Sequence, residues 1–90
     1  CFVDKQMGPP QWSDLGMFLQ TFMLLAQEFG LDTCAQEAWA MKHESVSSFF
    51  DTSSDEMLFC GMSIGYQDKE AAINKLVSER RPIEDWASFL

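Results

Sequence analysis

Residues 13–40, "SDLGMFLQTFMLLAQEFGLDTCAQEAWA", decide the fold. Their first half predicts a helix capped by Ser13 or Asp14 and running to about Phe29. Its apolar positions are Leu15, Met17, Phe18, Leu19, Phe22, Met23, Leu24, Leu25, Ala26 and Phe29, and they cover nearly the whole circumference. A helix that is apolar all round is buried on most sides. Ninety residues cannot surround it, so a partner chain is expected against one face. Gly30 supplies the left-handed C′ position that ends the helix, and Leu31 folds back onto its last turn.

Beyond the glycine, Gln36 and Glu37 stand between small residues before the chain returns to Ala38 and Trp39. Two polar residues at the mouth of a helix either cap it or face something that is not protein. The second helix is predicted from about Glu37 to Phe50, since Trp39, His43, Val46 and Phe50 recur at helical spacing. "DTSSDE" (51–56) reads as a turn with Asp55 and Glu56 solvated. "MLFCGMSIGY" (57–66) reads as one strand, and its continuous apolarity implies burial on both faces. The glycines at 61 and 65 imply a bulge or a close backbone approach.

Outside this stretch, "CFVD" (1–4) reads as the tail of an apolar strand with no initiator Met, so the natural chain is expected to begin upstream. "QMGPPQW" (6–12) reads as a loop. After Tyr66 a polar arm, "QDKEAAINKLVSERRP", leads to a short turn of helix, "IEDWASF", behind Pro82. The order is strand end, helix, helix, strand, polar arm: a partial α+β fold in a single domain over residues 1–90. One and a half strands leave open edges, a state that natural proteins avoid. Other residues or a second copy are expected to complete the sheet.

Composition narrows the function. The net charge of −8 argues against nucleic acid and against an anionic membrane surface, because both demand clustered Lys and Arg. Four of the six basic residues nevertheless lie close together, at Lys69, Lys75, Arg80 and Arg81. The three cysteines have no metal spacing, and Cys34 and Cys60 are expected in apolar surroundings as free thiols. That pattern fits a reducing, cytoplasmic compartment. No apolar run reaches the ~20 residues of a membrane span.

Catalytic constellations are missing from these residues. The single histidine, His43, lies mid-helix and reads as a hydrogen-bonded structural residue. No metal-binding or nucleophilic motif and no phosphate-binding glycine loop occurs.

Three segments together carry a family likeness: "SDLGMFLQTFMLLAQEFGLDTCAQEAW", "DEMLFCGMSIGY" and "INKLVSERRPIEDW". In order and spacing the chain resembles the C-terminal half of the FMN-dependent nitroreductases. The resemblance implies an α+β nitroreductase-like fold and a homodimer built through the Ser13–Phe29 helix, with FMN bound at the dimer interface. It also implies an activity, the reduction of nitroaromatic or quinone-like acceptors by NAD(P)H. The flavin carries that chemistry, so no side chain here is expected to be a general acid or base.

The resemblance also gives Gln36 and Glu37 a purpose. In this family the segment after the central helix runs past the flavin ring, and Ala35, Gln36, Glu37 and Ala38 match it. Amides at a helix start carry unpaired donors suited to the electron-rich edge of a flavin. An Arg-x-Pro near the family's C-terminus binds the FMN phosphate, and Arg80-Arg81-Pro82 matches it, with Lys75 and Ser78 as helpers. Val77 stands where relatives often carry a further basic residue, which implies weaker phosphate binding. The family's N-terminal arginine- and serine-containing motif is not among these residues, so half a flavin site is expected. The contrasting reading is a short, non-catalytic dimerising module that keeps the scaffold without the cofactor.

Overall fold

The helix expected at Ser13 begins earlier, at Pro9, in a computed structural model that describes all 90 residues. The two prolines read as loop occupy its first turn. There a missing N–H costs nothing, and the ring's fixed φ is already helical. Gly8 precedes them at φ 67°, a left-handed conformation that a side chain would strain. The chain then runs β1 (Phe2–Asp4), α1 (Pro9–Glu28), β2 (Asp32–Gln36), a 3₁₀ turn (Glu37–Lys42), α2 (His43–Phe50), β3 (Glu56–Leu58) and β4 (Gly61–Gly65). Short 3₁₀ turns at Ala72–Lys75 and Ile83–Asp85 interrupt an otherwise irregular, exposed arm.

α1 ends as its sequence predicts. Gly30 takes φ 74°, its N–H reaches the Gln27 carbonyl at 2.9 Å, and the Leu31 N–H reaches that of Ala26 at 2.9 Å. This is the paired 5→2 and 6→1 closure of a Schellman motif.

The strands differ from expectation in three ways. Residues 32–36, read as a connection, form β2. The second helix is divided into a 3₁₀ turn and a two-turn α2. The apolar run from Met57 is two strands, broken at Phe59 and Cys60, and they belong to different sheets. β3 pairs antiparallel with β1, placing Val3 opposite Met57, and so takes Glu56 into a ladder instead of leaving it in the turn. β4 pairs antiparallel with β2, placing Cys34 opposite Ser63 and Gln36 opposite Gly61. A strand that changes sheets keeps both halves apolar, and composition alone does not reveal the break.

Val3, Ala26, Leu58 and Cys60 are the buried residues. On α1, Leu15, Leu19 and Met23 are half-covered on the Ala26 side, where the helix lies along β2. Phe18, Leu24, Leu25 and Phe29 are exposed. The chain's surface is 7772 Å², against about 5,400 Å² for a compact protein of this mass. Its radius of gyration is 16.4 Å, against about 12 Å for a compact chain of this length. The burial expected of the central helix is therefore not supplied by the chain itself.

His43 ties α2 to β3. Its Nδ1 accepts the Leu58 N–H at 3.1 Å and lies 3.2 Å from Ser47 Oγ. Cys34 corrects an expectation: it is exposed, whereas Cys60 is buried. A two-stranded sheet with nothing packed over that face leaves the thiol in solvent.

Candidate functional site

The site starts where β2 ends. Gln36 is the last strand residue and also the N-cap of the 3₁₀ turn, and no side chain caps that turn. The first amides of a helix lack intrahelical partners. Neither Glu37 nor Ala38 donates in any turn, loop or side-chain hydrogen bond, and both are exposed. Two donors are therefore displayed at the sheet's end, beside Ala35 and Gln36.

Gln36 is held from both sides. Its Nε2 donates to Ser63 Oγ at 2.8 Å, and its Oε1 accepts the Trp39 Nε1–H at 2.7 Å. Both contacts follow from local geometry. Gln36 is opposite Gly61, so Ser63 is its diagonal neighbour on the same face of the ladder. Trp39 is three residues along a 3₁₀ turn, where side chains at i and i+3 eclipse. The indole rests against Gly61: a Cβ there would fall on Cδ1 and lie 3.0 Å from Cγ.

These residues line an open groove of about 680 Å³ together with Phe2, Leu58, Val46, Phe49 and Phe50. Phe2 and Phe50 meet edge-on, their ring centres 6.4 Å apart. The groove is mostly apolar, with Gln36, Ser45 and Ser63 as its polar side chains.

The arm carries a second cluster. Arg80 Nη1 donates to Ser78 Oγ at 2.6 Å, to the Ser78 carbonyl at 3.3 Å and to the Glu79 carbonyl at 3.1 Å. Its Nε and Nη2 have no protein partner, so half of the guanidinium fork is open. Lys75 pairs with Glu70 at 3.3 Å, both ends exposed. No hydrogen bond or ion pair joins this cluster to the Ala35–Ala38 segment. Sequence reasoning grouped these seven residues; the fold leaves them as two sets. It also missed Trp39, Gly61 and Ser63 as site residues. No local pattern marks them: the antiparallel register of β2 and β4 puts Gln36, Gly61 and Ser63 on one face, and the 3₁₀ turn brings Trp39 over them.

A model of the Nitroreductase family matches residues 4–66, and the chain belongs to that family. It is 34% identical over 88 residues to a 4-nitrobenzoate reductase of Pseudomonas putida and 36% identical over 88 residues to a chloronitrobenzene nitroreductase of Comamonas testosteroni. Each alignment takes in 98% of this chain and 39% of the relative. Among solved structures, the FMN and NADPH-dependent nitroreductase NfnB from Sphigopyxis sp. strain HMH superposes with a TM-score of 0.92 at 39% identity, covering 99% of this chain and 40% of that one. The FMN-dependent NfnB of Mycobacterium smegmatis, solved with NADPH, gives 0.93 at 25% identity over the same shares. The chain thus spans about 40% of the length of these relatives and has the nitroreductase-like fold. No helix is long and apolar enough to cross a membrane.

The donor set fits two parts of an FMN. The amides of Glu37 and Ala38 suit the electron-rich edge of the ring, and the open half of the Arg80 fork, with Ser78 beside it, suits a phosphate.

Proposed function

We propose that residues 1–90 form one domain, the C-terminal part of an FMN-dependent nitroreductase that reduces nitroaromatic or quinone-like acceptors with NAD(P)H. The observation that carries this reading is the pair of undirected amides at Glu37 and Ala38. They lie in a chain that superposes along nearly its whole length on FMN-dependent nitroreductases. When bound, FMN supplies the hydride and electron chemistry. The chain's own residues bind and orient it. Glu37 and Ala38 donate backbone hydrogen bonds to the ring edge, Ala35 and Gln36 set the strand end from which that turn departs, and Arg80 and Ser78 hold the phosphate. Lys75 adds positive charge nearby.

The same reading includes a homodimer through α1, supported by the exposed Phe18, Leu24, Leu25 and Phe29. A reducing cytoplasm suits a protein with an exposed, unpaired Cys34.

Residues 1–90 alone, holding half of a flavin site, should bind FMN weakly or not at all and be inactive, so titration with FMN of protein carrying the complete flavin site tests the proposal. Uptake is expected as quenching of flavin fluorescence and a shifted yellow absorption band. The band should then bleach with NAD(P)H and return on addition of a nitroaromatic. Protein that stays colourless with excess FMN overturns the proposal and favours the non-catalytic dimerising module.

A further inference from the structure

We propose that Gln36 is a positioning residue whose side-chain amide, clamped between Ser63 on β4 and Trp39 on the 3₁₀ turn, fixes the start of that turn and so aims the Glu37 and Ala38 amides. The inference rests on the flavin reading above and adds to it a side-chain network. An exposed 3₁₀ turn of six residues with no side-chain cap is not rigid by itself. Its hydrogen-bond geometry is poorer than that of an α-helix. What holds it here is external. The indole is a donor only, so the Gln36 atom facing it is the carbonyl oxygen, and Nε2 is thereby directed at Ser63. One side chain thus ties the strand end to the neighbouring strand and to the turn's own third residue. The clamp also needs Gly61, because a side chain there would expel the indole from its seat.

The chemistry excludes most replacements. Leucine at 36 keeps bulk and loses both bonds. Glutamate keeps an acceptor for the indole, and its second oxygen accepts the Ser63 hydroxyl proton, so the geometry survives. Phenylalanine at 39 keeps a ring against Gly61 and removes the donor.

The experiment combines two readouts on purified protein carrying the complete flavin site: the Trp39 indole N–H resonance, assigned by its loss in Trp39→Phe, and the FMN dissociation constant. Gln36→Leu should move the resonance upfield and weaken FMN binding about tenfold, the scale of one lost hydrogen bond. Trp39→Phe should weaken FMN binding to a similar degree. The double variant should be no worse than either, because the two residues act as one unit. Gln36→Glu should restore the resonance and most of the affinity. An indole resonance unmoved by Gln36→Leu overturns the clamp. A moved resonance with unchanged FMN affinity, or additive losses in the double variant, overturns the positioning role. Wild-type protein that takes up no FMN overturns the functional reading and the positioning role with it, while the resonance still reports whether the clamp exists.

Discussion

The indole of Trp39 occupies the space that Gly61 leaves by having no side chain, which locks the 3₁₀ turn after β2 onto the strand that pairs with β2. Gly61→Ala should therefore act as overpacking, destabilising the fold by about 1–3 kcal/mol. Urea denaturation should show a lower midpoint with an unchanged slope. An unchanged midpoint would mean that the indole moves aside without cost.

His43 and Leu58 make the corresponding link between α2 and β3. Leu58 is 6% exposed, so its N–H has little access to water if the imidazole is removed. His43→Leu should cost about 1–3 kcal/mol, the penalty of an orphaned buried donor. Hydrogen exchange at the Leu58 amide should quicken in that variant. Protection equal to wild type would show that another acceptor takes over.

Leu25 is 55% exposed on α1, so its substitution should spare the fold of the isolated chain. Leu25→Glu or Phe22→Glu should instead break association, since an unpaired charge in a buried interface costs several kcal/mol. Sedimentation of wild type and variants at micromolar concentration decides the matter; a monomeric wild type contradicts the dimer.

The thiols should divide by access. Cys1 and Cys34 are exposed and Cys60 is buried. A bulky thiol reagent should label two sulfurs rapidly and the third only on unfolding, as mass spectrometry of quenched samples would read. Fast labelling of Cys60 in the native state would contradict its burial.

Arg80→Ala should weaken FMN binding by about 1.5–3 kcal/mol, the scale of a charge-assisted hydrogen bond, in protein carrying the complete flavin site. Riboflavin lacks the phosphate and should hardly respond. Arg81→Ala should do less, and Glu37→Gln should leave binding nearly intact because the proposed contact there is backbone. Equal losses for both ligands in Arg80→Ala would point to structural damage instead.

The sequence by itself determined the family, the long helix with its Gly30 closure and the polar arm. These are local matters: periodicity, one glycine conformation and short motifs whose meaning does not depend on distant residues. Only the tertiary structure decided that 57–66 is two strands in two sheets, and that 32–36 is the partner of the second. A strand's partners are set by long-range pairing, to which a continuous apolar run is blind. The pairing then produced what no local pattern announced. Antiparallel register set Gln36 opposite Gly61 and diagonal to Ser63. The eclipsed geometry of a 3₁₀ turn brought Trp39 over both. The exposed Cys34 and the uncovered face of α1 have one physical reason in common: a side chain's environment is fixed by what packs against it, and 90 residues leave both faces unpacked.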